Sequence, residues 1–412
     1  MHILYLHQYF STPDSNAGTR SFEMAKRFLA KGHRVTFVTS SAFLSESYSF
    51  SSGWNEINIS GINLHVLHLP YSNSDSYLER IIKFIQFSLK AIPKSLRINS
   101  DVILATSTPL TIAIPGVICA KINKIPMVFE VRDLWPELPV AIGAIKNPLL
   151  IWLAEKLERF AYNNATRLVG LSPGMCEGIK SKGIASYKVT LATNSCDTEL
   201  FDVDESIGDK YKKKSLSFVG DRKLVVYTGT FGPINDVSYI VRLAKASLHQ
   251  SNEVCFVAIG AGMEKKSVID LAKSEGVLNN NLFILEPVPK TEIVKLLSAA
   301  DLSLSLFGPI KEMWHNSANK LFDALASGTP IAINYGGWQK DLIEEHKCGV
   351  VLHNINFEDA ARNINDFLTD NDRYAQAKFA SIDLAYNHYS RDIMADRLEK
   401  ALVEAINDKK TI

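Results

Sequence analysis

A lysine and an aspartate three residues apart, Lys320 and Asp323, stand in the segment Asn319-Lys320-Leu321-Phe322-Asp323-Ala324-Leu325-Ala326-Ser327-Gly328-Thr329-Pro330. Leu321, Phe322, Leu325 and Ala326 recur at helical spacing, Gly328 stops the helix, and Ile331-Ala332-Ile333 reads as a short buried strand. A helix N-terminus presents unpaired N–H groups and a positive dipole end, which together suit a phosphate. Lys320 adds a full charge there, and Asp323 can accept hydrogen bonds from the vicinal hydroxyls of a sugar. The same residues also fit an ordinary surface helix before a strand.

Three further groups have the right types for the same chemistry. The strand 126–131 runs into Arg132-Asp133-Leu134-Trp135-Pro136, and ligands of open α/β sheets bind outside strand carboxyl ends. Glu130, Arg132 and Asp133 therefore point toward a site, unless the Arg–Asp pair only braces its loop. In the loop 11–20, Gly18 permits close backbone approach, and Arg20 can either reach a phosphate or sit solvated at a helix start. The strand 224–227 is followed by Thr228-Gly229-Thr230-Phe231-Gly232-Pro233, where Gly229, Thr230 and Gly232 can cradle a pyrophosphate; Gly260, after the next strand, is grouped with them.

The elements that must position these groups form two α/β halves. Strands at 3–6, 35–39, 102–106, 126–131, 167–172 and 189–194 alternate with helices, as do strands at 224–227, 254–259, 281–285, 301–306 and 331–333. The charge-rich stretch 201–222 reads as a linker, and its Asp202-Val203-Asp204 as solvated loop rather than a metal motif. The 412 residues suffice for two cores, and a net charge of +1 implies no nucleic-acid partner. Five scattered cysteines without a C-x-x-C suit a reducing cytosol and argue against a zinc site. The amino terminus reads as a strand rather than a signal peptide, and the longest apolar run, near Pro109 to Ala120, is too short to span a bilayer.

One helix carries a different pattern. Between Tyr77 and Ile98, Ile81, Ile82, Phe84, Ile85, Phe87 and Leu89 are interleaved with Arg80, Lys83, Lys90, Lys94 and Arg97. Such a helix either lies on an anionic membrane or covers a sheet with a basic solvated edge, where Lys83, Lys90 and Lys94 belong.

The segment around Lys320 resembles the donor-site signature of glycosyltransferase family 4, and Arg132 to Pro136 is similar to its WbuB-like O-antigen and capsule branch. The resemblance covers nearly the whole chain. It implies a GT-B fold: two Rossmann-like, doubly wound parallel-sheet domains facing across a cleft. The domains it suggests are 1–200 for the acceptor, 201–222 as linker and 223–385 for the donor, with 386–412 returning to the first domain. Asp323 takes the place of the carboxylate that binds the ribose, His315 that of the family's other carboxylate, and Asn319-Lys320 matches the O-antigen branch. Arg132 then serves the donor sugar or pyrophosphate, Asp133 is a candidate acceptor base, and Leu285 to Val288 forms the base pocket. Tyr335-Gly336-Gly337 approaches the donor sugar. The loop at Gly229 lacks the family's Arg and Lys, so phosphate charge falls to Lys320, Arg132 and helix dipoles. The implied activity is a retaining, metal-independent sugar transfer without a cofactor. Its donor is a nucleotide-diphosphate sugar, UDP preferred, and its acceptor a polyprenyl-diphosphate-linked saccharide at the inner leaflet. A nucleotide-sugar 2-epimerase or a non-catalytic nucleotide-sugar-binding subunit shares the same signature.

Overall fold

The computed structural model describes residues 1–15, 18–44, 48–70, 77–204, 206–250 and 253–410. The chain forms two compact units, Met1–Thr193 with Arg391–Ile412, and Asn194–Ser390.

The first unit is built on strands β1 (His2–Leu6), β2 (Arg34–Ser40), β3 (Trp54–Ile59), β4 (Ile62–Leu67), β5 (Val102–Thr106), β6 (Met127–Val131), β7 (Arg167–Gly170) and β8 (Val189–Leu191). They form an eight-stranded sheet in the order β3-β4-β2-β1-β5-β6-β7-β8. All pairs are parallel except the β3–β4 hairpin, whose turn uses Ser60 and Gly61 at φ 52° and 85°. Positive φ at both central residues is the hairpin turn that matches strand twist. The strands β5 and β6 are buried throughout because helices cover both faces of the sheet. Crossovers from β4 to β7 all step in one direction across the sheet, so their right-handedness puts Tyr77–Leu96, Ala113–Asn123 and Pro148–Asn164 side by side on one face. The step from β1 to β2 runs the other way and puts Arg20–Ala30 on the opposite face, with Arg391–Lys410 beside it.

The terminal helix Arg391–Lys410 buries Met394, Leu398, Leu402 and Ala405 completely. Its polar edge is tied by Arg27 to Asp392 (2.6 Å), His33 to Glu399 (2.6 Å) and Arg167 to Asp408 (2.8 Å). On the other face, the lysines expected at a solvent edge are partly engaged. Lys94 pairs with Glu56 at 2.7 Å and lies over the Trp54 ring, and the Lys83 ammonium donates to the Pro70 carbonyl.

The second unit holds β9 (Lys223–Thr228), β10 (Val254–Ile259), β11 (Leu282–Leu285), β12 (Leu302–Ser305), β13 (Ile331–Ile333) and β14 (Gly349–Val351). They form a parallel six-stranded sheet in the order β11-β10-β9-β12-β13-β14. Residues 201–222, read as a linker, carry the helix Ser206–Ser215, which packs on Lys290–Ala299 within this unit. The contact is close because a Cβ on Gly208 would lie 2.3 Å from the Ser298 carbonyl oxygen. Lysines 210 and 212–214 mask its apolar spacing in the sequence; Asp204 accepts from the Ser206 N–H. Both sheets reverse their winding once, between β1 and β5 and between β9 and β12, and such switch points are where open sheets bind ligands.

Leu398→Ala is expected to lower the stability of the first unit by about 2–5 kcal/mol, the cost of a cavity at a fully buried leucine. Urea unfolding followed by hydrogen exchange should show the loss in β5 to β8 and not in β9 to β14. An equal loss in both sheets would mean the two units unfold as one.

Candidate functional site

In the second unit the helix Asn319–Ala326 buries Leu321, Phe322, Ala324, Leu325 and Ala326 against the sheet. That leaves Asn319, Lys320 and Asp323 on its outer side. No side chain caps its N-terminus, where Ala318 stands at the N-cap. The Lys320 side chain crosses the start of the β9 loop, and a Cβ on Gly229 (φ 151°) would come within 2.7 Å of the Lys320 Cε. Only glycine leaves that path open. The ammonium lies 5.2 Å from the centroid of the Tyr227 ring. Burial brings its pKa down to about 8, with Asp323 acting weakly against that shift.

Glycines also join this loop to its neighbour. A Cβ on Gly260 would sit 1.8 Å from the Gly229 carbonyl oxygen, and one on Gly262 2.2 Å from that of Phe231. Across this contact the Gly229 N–H donates to Ile259 and the Phe231 N–H to Ala261, at 3.0 and 2.8 Å. Of the residues expected to cradle a pyrophosphate, Gly229 thus spends its amide on holding the loops together, and Phe231 beside it does the same. Thr230 is exposed with its carbonyl bonded to the Tyr227 hydroxyl, and the Gly232 carbonyl closes a turn to Asn235. At Leu285 the carbonyl accepts from Lys265 at 3.1 Å, and the turn 286–289 presents a half-buried Val288.

Asp323 makes an ion pair with Lys290, the first residue of the helix Lys290–Ala299. The sequence reading missed this cation, because nothing in its neighbourhood marks it. His315 is exposed at the end of the turn Lys311–His315. The glycines 336 and 337 do allow a close approach, but to protein. Gly336 faces the Trp314 ring, and Gly337 (φ 84°) would place a Cβ 2.6 Å from the Trp314 carbonyl oxygen. Through these two glycines the chain closes against the turn that carries His315.

In the first unit the polar residues converge on the carboxyl ends of β1, β5 and β6. Arg20 is not a phosphate ligand in waiting. Its guanidinium is 5% exposed and donates to Glu130 Oε1 at 2.9 and 3.0 Å and to the carbonyls of Ala192 and Thr193. Glu130 is fully buried, so burial favours its neutral form, but the charges of Arg20 and Arg132 and a 2.6 Å bond from Thr106 hold it below the usual carboxylate range. Gly18 is exposed nearby, and its carbonyl accepts from Ser11; residues 16 and 17 of this loop lie outside the described residues.

Arg132 and Asp133 follow directly. The Arg132 N–H donates to Ser107 Oγ at 2.8 Å, and its Nη1 to His7 Nε2 at 3.2 Å. His7 is 2% exposed and its pKa is driven well down by burial and by Arg132, so it stays neutral and accepts this bond. Burial pushes the Asp133 carboxyl up to about 6 despite Arg132 and a bond with Thr108. A carboxyl titrating there can take up a proton near neutral pH. His7 escaped the sequence reading although the strand-end rule that selects Arg132 applies equally to the residue after β1.

Arg20→Leu is expected to cost about 3–5 kcal/mol by removing the close ion pair of a buried carboxylate, and Glu130→Leu beside it should recover part of that loss. Nucleotide affinity of the folded variant should be unchanged. Lost affinity at wild-type stability would return Arg20 to the phosphate role.

Comparisons with known proteins bear on both units. A model described as glycosyl transferase 4-like domain matches residues 17–195, and one described as glycosyl transferases group 1 matches 209–381. An uncharacterized glycosyltransferase of Methanocaldococcus jannaschii is 23% identical over 184 residues, 44% of this chain. D-inositol 3-phosphate glycosyltransferase of Corynebacterium urealyticum is 22% identical over 274 residues, 60% of this chain. The matches span 45% and 62% of those relatives' own lengths. In structure, HepE of Anabaena in complex with UDP superposes with a TM-score of 0.70 at 16% identity over 98% of this chain and 100% of its own. Sucrose-phosphate synthase of Thermosynechococcus elongatus does so with 0.70 at 13% identity, over 99% of each chain. With strand order and likeness in agreement, the two domains are the two halves of a GT-B fold, the first matching the glycosyl transferase 4-like domain and the second glycosyl transferases group 1.

Proposed function

We propose that the protein is a retaining, metal-independent glycosyltransferase using a nucleotide-diphosphate sugar, UDP preferred. Its acceptor is a polyprenyl-diphosphate-linked saccharide of O-antigen or capsule assembly, met at the inner leaflet of the membrane. The observation that carries the reading is Lys320. A partly desolvated ammonium beside an uncapped helix N-terminus is suited to the charge that builds on a departing diphosphate. HepE has been crystallised with UDP and with UDP-glucose, which supports the choice of donor.

The roles rest on the family resemblance and on what each group can do chemically. Lys320 and the N-terminus at Asn319 take the diphosphate, and Asp323 takes the ribose hydroxyls in exchange for part of its pairing with Lys290. The turn from Leu285 to Val288 lies against the base, with Gly229, Thr230, Gly232 and Gly260 shaping the phosphate side. On the acceptor domain, Asp133 removes the hydroxyl proton while Arg132, held by the neutral His7, contacts the donor. The anomeric carbon loses its bond to diphosphate oxygen and gains one to acceptor oxygen, and the nucleoside diphosphate leaves. The retaining outcome rests on the family resemblance.

Lys320→Ala should lower kcat/KM for the nucleotide sugar roughly ten- to a hundredfold, as expected for one charge-assisted phosphate contact of about 1.5–3 kcal/mol. A folded variant with wild-type rates refutes the assignment. Asp323→Ala should weaken UDP and UDP-sugar alike; an effect on the sugar nucleotide alone would move Asp323 to the hexose.

The pH profile offers a separate check. Asp133 works deprotonated and Lys320 protonated, so kcat/KM should rise through about 6 and fall through about 8. Asp133→Asn should remove the acid limb and Lys320→Arg the alkaline limb. Limbs that persist in these variants belong to other groups. Product formed from nucleotide sugar without any acceptor would favour an epimerase instead.

A further inference from the structure

Twelve of the eighteen strongly exposed large hydrophobics among the described residues lie on one helical layer of the first domain. They are carried by Tyr77–Leu96, Ala113–Asn123 and Pro148–Asn164, which pack side by side, and by the short helix Glu137–Ala141 with Ile142. The inner sides of the three long helices are already satisfied, since Phe87, Val117 and Ala161 belong to the buried core. The outer sides carry Leu78 (66% exposed), Ile82, Leu149 (63%), Leu150, Trp152 (52%) and Leu153. These six fall in the amino-terminal halves of their helices, and each helix leaves the carboxyl end of the sheet. The apolar patch therefore sits toward the edge of the domain that holds His7, Arg132 and Asp133.

Charge distinguishes what can cover this face. Exposed Lys90, Arg97, Lys121, Lys124, Lys146 and Lys156 are spread through and around the layer. The acidic residues of the same segments are Glu79, Glu137, Glu155 and Glu158, of which Glu158 is buried and Glu137 is paired with Lys182. Lys156 also lies over the Trp152 ring, 5.5 Å from its centroid. A second copy on this face would set lysine against lysine, because a two-fold interface meets itself. A layer of exposed apolar side chains with an excess of exposed cations, Lys146 and Lys156 next to Leu149–Leu153 and a tryptophan among them, matches a lipid surface bearing negative headgroups.

We propose that the first domain docks on an anionic bilayer through this layer, with the helix Pro148–Asn164 inserted at Leu149, Leu150, Trp152 and Leu153. The inference deepens the proposed function, since it supplies the surface from which a lipid-linked acceptor reaches Asp133, but the lipid contact can be tested without any sugar transfer. Insertion distinguishes it from purely electrostatic adsorption of the helix Tyr77–Leu96, because insertion survives salt.

The full chain is mixed with vesicles of phosphatidylglycerol and phosphatidylcholine whose acyl chains carry bromine, which quenches nearby tryptophan. Quenching is expected, together with flotation that weakens with salt without vanishing. Trp152→Phe should still float and lose most of the quenching. The triple variant Leu149→Ser/Trp152→Ser/Leu153→Ser should bind at least about tenfold more weakly at high salt, with an unchanged circular-dichroism melt. Lys121→Gln/Lys124→Gln/Lys146→Gln should lose the preference for phosphatidylglycerol and keep the salt-resistant part. Three results overturn the proposal: no flotation with either lipid, flotation without quenching at Trp152, or a dimer in solution that the triple serine variant disperses. UDP-sugar binding is measured on the same samples; if it stays intact while flotation fails, the docking inference falls and the transferase reading stands. If flotation succeeds and UDP-sugars do not bind, the reverse holds.

Discussion

The partial desolvation of one ammonium group constrains how the loop after β9 is built in the second domain. A lysine gives up water at considerable cost, and Lys320 does so because its path over Gly229 and onto the Tyr227 ring leaves little room for solvent. That path requires a glycine in β9's loop. The loop in turn is held in place by the second glycine contact, Gly260 on Gly229, and by the two amide bonds across it. A diphosphate placed near this group would relieve the desolvation, since it offers the charge and acceptors that water no longer supplies.

The first domain uses a buried ion pair for a different end. Arg20 and Glu130 join the start of one helix to the end of β6 and to the carbonyls of Ala192 and Thr193. Such a pair is a weak source of stability, yet breaking it is costly, so it fixes the relative positions of these segments. Beside it Arg132 is oriented by the neutral His7, and the proton affinity of Asp133 is raised by burial.

The helical layer on the same domain shows a third use of burial, through its absence. Its helices have inner faces buried in the core and outer faces that are still apolar. No helix among the described residues is long and apolar enough to cross a membrane, so any lipid contact of this layer would be lateral.

Local chemistry was legible in the sequence. The alternation of apolar strands and helices specified two parallel sheets, the stop at Gly328 ended the helix of Lys320, and the strand-end rule selected Arg132 and Asp133, because these signals depend on near neighbours. Contacts between distant segments were not legible. Arg20 is separated by 110 residues from Glu130, so its identity as a brace rather than a phosphate ligand needed the packed sheet. The partnership of Asp323 with Lys290, the meeting of Gly336 and Gly337 with Trp314, and His7 against Arg132 are of the same kind. The layer around Trp152 was missed for a related reason. Helical spacing reports that a stripe is apolar, but which stripe turns toward the core is decided by the helices and strands that pack against it.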